Sequence, residues 1–230
     1  MKILVISDTH HDISKAIEVY RRLTKSTNDA SGISNLGISS NAGAEIDMVI
    51  HCGDYVEDAA EFRNKTGAKV VSVPGNCDGS FDENDMTILE TEAGDVLITH
   101  GHMLGVSHSQ AKIYYRAAEA DCIACIYGHT HIPVNTEWEG VHLINPGSLS
   151  RPRDNSSGSF AIIETAEDYF SSKIYYYDEF LSSGPGSGSG SGSGGPGSGT
   201  GSSGPGPGTG KRGKVKGGHL RDLLNYSDRF

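Results

Sequence analysis

Seven side chains able to bind a metal ion stand at or just beyond short apolar runs. Asp8 and His10 lie in SDTH, Asp54 in HCGD, Asn76 in GNCD, His100 in THGH, and His129 and His131 in GHTH. Each run reads as a strand, so the strings gather oxygen and nitrogen donors at one edge of a sheet. Carboxylates, an amide and imidazoles together suit intermediate cations such as Mn²⁺, Zn²⁺, Fe²⁺ or Ni²⁺. Two such cations side by side can orient phosphoryl oxygens, activate a water and offset the charge that builds at phosphorus. Hydrolysis of a phosphate ester is the chemistry these residues suggest.

Each residue also has a plainer explanation. Asp8 and His10 are two apart; in extended chain both side chains fall on one side and can share an ion. Asp8 could instead cap a helix, although a cap leaves His10 unexplained. Asp54 follows Gly53, where a carboxylate can bridge two cations, or cap the helix after Tyr55. Asn76 sits in a tight turn and offers a neutral carbonyl oxygen, or simply bonds its own backbone. His129 and His131 flank Thr130 beyond a strand and a glycine, which packing explains poorly. His51 lies inside an apolar run and reads as a core residue. His11, His102, His108 and His142 are intermediate, and His102 stands two residues past a candidate ligand, placed to touch substrate or support the site. Cys122 and Cys125 form a CxxC within an apolar strand and, with no second pair in the chain, read as buried small residues.

The elements that must position these groups follow from periodicity. Residues 2–6 form a buried strand. Ile13, Ile17, Tyr20 and Leu23 recur at helical spacing behind Asp12 or Ser14 as cap. Strands at 46–51 and 68–73 enclose a short helix at about 57–65. This alternation is a parallel α/β start. Further strands are expected at 87–91, 95–99, 122–127, 133–136, 140–144, 159–164 and 171–177. A helix is expected over 107–118 and a hairpin turn at Trp138-Glu139-Gly140. So many strands with few helices imply an α/β fold of two face-to-face sheets flanked by helices.

The chain has 230 residues and a formal net charge of −10. The acidic balance disfavours nucleic acid or an anionic membrane as partner. Three parts are expected: a catalytic domain over 1–181, a Gly/Ser/Pro-rich disordered linker over 182–210, and a short basic, weakly amphipathic tail over 211–230. Within the domain, residues 25–45 lose all periodicity and read as a loop insertion. The tail carries KRGKVK and groups Leu220, Leu223 and Leu224, but names no partner of its own. The opening apolar run, Ile3 to Ile6, is too short for a secretory core or a membrane span. With four cysteines and no disulfide-framework density, a cytoplasmic protein is expected.

In order, the five strings resemble the calcineurin-like metallophosphoesterase superfamily, whose pattern is D-x-H, G-D, G-N-H-D/E, H and G-H-x-H. GNCD, THGH, the small size and NPGS at 145–148 resemble its small bacterial and archaeal phosphodiesterase branch. The resemblance implies a two-sheet sandwich with one metal held by Asp8, His10 and His131, another by Asn76, His100 and His129, and Asp54 bridging. Mn²⁺ leads the candidate metals, with Ni²⁺, Zn²⁺, Fe²⁺ and Mg²⁺ as alternatives. It further implies hydrolysis of a small phosphodiester by a metal-bridging hydroxide, with Asp54, Asn76, His100 and His102 at the reaction centre. A phosphomonoesterase and a protein-interaction scaffold are the alternatives, and a homo-oligomer is compatible with either. The chain departs from the pattern at Cys77, where many relatives carry a histidine thought to protonate the leaving group or hold phosphate. The departure points away from monoesters.

Overall fold

The computed structural model describes residues 1–25, 46–79, 81–82 and 85–182. The expected insertion beyond Lys25, the linker beyond Ser182 and the basic tail lie outside the described residues.

The first half is the expected α/β alternation. It runs β1 (Lys2–Ile6), α1 (Ser14–Lys25), β2 (Met48–His51), α2 (Val56–Thr66) and β3 (Val70–Ser72), with β1, β2 and β3 parallel. The second half supplies β4 (Met86–Thr91), β5 (Gly94–Thr99), α3 (Ala111–Glu119), β6 (Ala124–Ile126), β7 (Val134–Trp138) and β8 (Val141–Asn145). It closes with β9 (Ser159–Ala166), β10 (Tyr169–Tyr176) and α4 (Tyr177–Ser182). One sheet has the order β10-β9-β1-β2-β3 and the other β4-β5-β6-β8-β7. In the second sheet β5, β6 and β8 are parallel.

Alternation along single strands explains the layers. Leu4 and Ile6 of β1 pack with Ile13, Ala16, Ile17 and Leu23 of the α1 region and Phe62 of α2. Ile3 and Val5, on the opposite face, pack with Val96 and Ile98 of β5 and Ala124 and Ile126 of β6. Leu97 and Cys125 point the other way, toward Ile113 and Ala117 of α3. A strand covered on both faces must be apolar throughout, which is why these runs do not alternate in sequence. The molecule is therefore a two-sheet sandwich with helices outside, as expected.

Several boundaries differ from expectation. β2, β3 and β6 are shorter than expected, while the other strands are as long or longer. The helix expected from 107 begins at Ala111. Gly101 and Gly105 adopt φ of 91° and 68°, and a series of turns occupies the intervening stretch. Buried Leu104 and Val106 pin those turns to the core beside α3. α4 was not anticipated; Phe180 secures it edge-on to Phe160, with ring centroids 5.1 Å apart. The Trp138-Glu139-Gly140 turn is as expected, with φ of 47° and 83° at Glu139 and Gly140, the left-handed pair that suits a twisted hairpin. Among the described residues no helix is long and apolar enough to cross a membrane.

Candidate metal centre

The ends of β1, β2, β3, β5 and β6 deliver all seven candidate ligands to one place. Five of the seven, Asp8, His10, Asp54, His129 and His131, have positive φ, between 47° and 69°. For residues other than glycine this backbone is uncommon and strained, and such strain clusters at functional sites. Asp8 and His10 therefore do not share a face through extended chain, as the spacing suggested; two left-handed residues turn them inward. Close backbone approach completes the convergence. A methyl group on Gly75 would lie 2.4 Å from both the backbone nitrogen and Oδ1 of Asp54, and one on Gly128 would lie 2.1 Å from Ser7 Oγ.

The first cluster comprises Asp8, His10, Asp54 and His131, with one donor atom of each lying within 4.8 Å of all the others. His10 Nε2 is 3.2 Å from His131 Nε2 and 3.5 Å from Asp54 Oδ2. His131 Nε2 is 3.3 Å from Asp8 Oδ1. That approach is an ion-pair distance without hydrogen-bond alignment, and Asp8 Oδ1 is buried with no hydrogen-bond donor. A buried carboxylate oxygen without a donor is costly unless a cation compensates it. His131 Nδ1 donates to the Arg151 carbonyl at 2.6 Å, so the neutral ring presents its lone pair at Nε2.

The second cluster is built around the other oxygen of Asp54. His100 Nε2 lies 3.4 Å from Asp54 Oδ1 and 3.1 Å from Asn76 Oδ1. His129 Nδ1 lies 2.9 Å from the same Asn76 oxygen. His100 Nδ1 donates to the Cys52 carbonyl at 2.7 Å, which leaves a lone pair on Nε2. Acceptor atoms crowd together here too. Both clusters fit divalent cations by donor type, and Asp54 faces both.

Burial and charge shape the protonation of the ligands. Burial holds the His10 and His129 rings below their ordinary pKa, and the neighbouring His100 adds to this at His129. Burial disfavours the charged forms of Asp8 and His131 as well, but their mutual attraction outweighs it. The Asp8 carboxyl is held low and His131 high.

Neither capping explanation holds. α2 is capped not by Asp54 but by Asp78, whose carboxylate accepts from the backbone nitrogens of Tyr55 (3.0 Å) and Val56 (2.7 Å). The same carboxylate accepts from Gly75 N at 2.8 Å, which ties the Asp54 loop to the Asn76 loop. At α1, Asp12 rather than Asp8 accepts from Ser14 N, at 3.0 Å. Asp8 Oδ2 instead accepts from His129 N at 3.0 Å and from the Ser7 hydroxyl. NPGS also acquires a purpose. Asn145 Nδ2 donates to the Gly128 carbonyl at 2.8 Å, and Ser148 Oγ to the Asp8 carbonyl at 2.9 Å. Sequence reasoning missed Asp78, Ser148 and Tyr55, and only the quoted strings GNCD and NPGS hinted at the first two.

The remaining histidines separate cleanly. His102 lies tilted beside the ligands, its ring 5.3 Å from His100 and 6.1 Å from His129, outside both clusters. His51 is fully buried; its Nε2 donates to Thr9 Oγ1 at 2.9 Å, and Thr9 donates to Asp58 at 2.6 Å. His11 lies against Tyr55, centroid to centroid 3.8 Å. His142 stacks on Phe170 at 4.7 Å, and His108 is exposed. Cys52, Cys122 and Cys125 are buried and in no disulfide, as the apolar-strand reading of the CxxC requires, and Cys77 is exposed.

Comparison with known proteins decides the family. The model of the calcineurin-like phosphoesterase superfamily domain matches residues 1–168. The chain belongs to the calcineurin-like phosphoesterase superfamily. Within it, the chain is 30% identical over 179 residues to "Probable metallophosphoesterase YsnB" of Bacillus subtilis strain 168, covering 78% of this chain and 92% of that one. It is 27% identical over 174 residues to phosphodiesterase YfcE of Escherichia coli K12, covering 71% and 88%. A crystal structure of a conserved uncharacterized protein from Streptococcus pneumoniae TIGR4, described there as a predicted phosphoesterase, superposes with a TM-score of 0.58 at 25% identity, covering 77% and 90%. The Asp8, His10, Asp54 and His131 tetrad gives this member of the superfamily a potential metal-binding cluster at its strand ends.

Proposed function

We propose that the chain is a metal-dependent phosphodiesterase acting on small diesters. One divalent cation would be held by Asp8, His10, Asp54 and His131, and a second by Asp54, Asn76, His100 and His129. The observation that carries this reading is the division of Asp54, whose Oδ2 faces His10 while its Oδ1 faces His100. Mn²⁺ leads by the family resemblance, with Ni²⁺, Zn²⁺, Fe²⁺ and Mg²⁺ as alternatives that mixed carboxylate and imidazole donors also admit.

Cations held there supply Lewis acidity and an activated water. The chain's own residues set their surroundings. Cys52 O and Arg151 O fix the rings of His100 and His131 through their Nδ1 atoms. Asn76 adds an oxygen without adding charge, so two carboxylates and a hydroxide leave a small positive excess against two dications. That excess matches the single charge of a diester. The His102 ring borders His100 and His129, where a bound ester would meet it. Cys77 is a poor proton donor at a position where many members of the wider superfamily carry histidine, so the leaving group must depart largely unaided. Two relatives named as phosphodiesterases, YfcE and MJ0936, support the diester over the monoester.

The test is a substrate panel after chelation and readdition of Mn²⁺, Ni²⁺, Zn²⁺ and Mg²⁺. An activated aryl diester should turn over with metal only, faster than its monoester and far faster than an alkyl diester. Faster turnover of the monoester would reject the reading.

A further inference from the structure

Tyr55 follows the bridging Asp54 and is built into an unfavourable backbone, with φ 76° and ψ 85°. The conformation is enforced from outside. Asp78 accepts from Tyr55 N and Val56 N, and no side-chain cap on α2 competes with it. A strained, externally clamped residue beside a ligand is more than a helix start demands. Its effect is to lay the ring edge-on to the ligand His10, centroids 5.5 Å apart, and against His11 at 3.8 Å.

The hydroxyl end is equally defined. It lies beside the Cys77 side chain, and Cys77 N donates to Asp54 Oδ1 at 2.9 Å. The Cys77 sulfur accepts from Asn76 Nδ2 at 3.6 Å. Sulfur is a weak acceptor, and an anionic phosphoryl oxygen is a much stronger one. Arg151 adds positive charge at the same opening, since its guanidinium acts on both His10 and Tyr55. Its backbone is pinned there, with its carbonyl accepting from His131 and its nitrogen donating to Ser148 Oγ at 2.9 Å.

Resting on the phosphodiesterase reading, we propose that Tyr55 is a substrate-contacting residue whose hydroxyl, placed beside Cys77, donates to an oxygen of the bound diester. Position 77 cannot offer a strong donor in this chain; the hydroxyl held beside it can. The contact is to the ester, so it concerns substrate affinity and specificity, not metal retention.

The experiment compares wild type and Tyr55→Phe, both metal-loaded. Phenylalanine keeps the ring against His10 and His11 and removes only the hydroxyl. Metal content is measured directly, and binding of dimethyl phosphate by calorimetry. Unchanged metal content with affinity weakened by about tenfold supports the contact. Turnover of an alkyl diester should fall more than that of an activated aryl diester. Equal affinity in the two proteins overturns the proposal, as does a loss of metal in Tyr55→Phe, which would make the hydroxyl a support for Asp54. Wild type that binds no dimethyl phosphate and hydrolyses no diester sinks the phosphodiesterase reading itself. Turnover by wild type with no change in Tyr55→Phe sinks the Tyr55 assignment alone.

Discussion

The Nε2 atoms of His10 and His131, from residues 121 apart in the chain, face each other across 3.2 Å. His131 has its other nitrogen engaged with Arg151, so the two rings aim toward a common point beside Asp8 Oδ1, which has no donor. Such an arrangement favours a cation at that point.

Divalent metal should therefore stabilise the fold, because it binds the native arrangement and not the unfolded chain. The midpoint of thermal unfolding should rise on adding Mn²⁺ and fall on chelation. His131→Ala should weaken metal binding by at least about a hundredfold. A calorimetric titration showing no uptake by the intact protein would contradict the assignment.

Asp54→Ala removes the only carboxylate among the described residues that faces both clusters. Metal content should fall from the proposed two ions per chain to one or none, and turnover should be lost. Elemental analysis beside a rate assay reads both, and near-normal turnover would rule out the bridge.

Gly75→Ala and Asp78→Ala attack the same geometry from behind. The first places a methyl group 2.4 Å from Asp54 N and Oδ1, with backbone that cannot yield cheaply. The second strips the acceptor from Tyr55, Val56 and Gly75 nitrogens and should cost about 1–2 kcal/mol of stability through the lost cap alone. Both should lose metal affinity well before they lose the fold, as circular dichroism and metal titration would show.

His51 sets an acid-sensitive contribution to stability. Burial lowers its pKa to about 4. Asp8, Asp58 and Asp78 oppose this and His100 reinforces it. The unfolded ring titrates near 6.5. Between these values the unfolded chain binds a proton that the native chain refuses. Stability is thus fully present above about pH 6.5, is lost as pH falls toward about 4, and levels off below. The whole contribution is about 3 kcal/mol. His51→Asn should flatten the denaturation free energy across that window by close to one proton, measured by urea unfolding at several pH values. An unchanged slope would show that His51 protonates freely in the native state.

Much of this molecule was legible beforehand, and the reasons are local. Apolar runs such as Ile3 to Ile6 announce strands. Polar donors placed after them announce a site at strand ends. His51 reads as core because nothing polar surrounds it in sequence. The left-handed backbone at Asp8, His10, Asp54, His129 and His131 was not legible, because these residue types adopt that region only when surrounding contacts compel it. The cap on α2 was misassigned as a possible role of Asp54, since the residue that performs it, Asp78, reaches across from another loop. α3 started late because glycines and buried Leu104 and Val106 overrode a helical pattern.

Residue type and spacing alone determined the donor set, its chemistry and the strand ends that carry it, since each is a property of a few neighbouring residues. Only the tertiary structure decided which donors meet. β1 and β2 had to align in parallel in one sheet, and β5 with β6 in the other, before Asp54 could turn one oxygen toward His10 and the other toward His100. That meeting is set by core packing between the sheets, through Ile3, Val5, Val96 and Ile126, which are remote from the ligands whose positions they set.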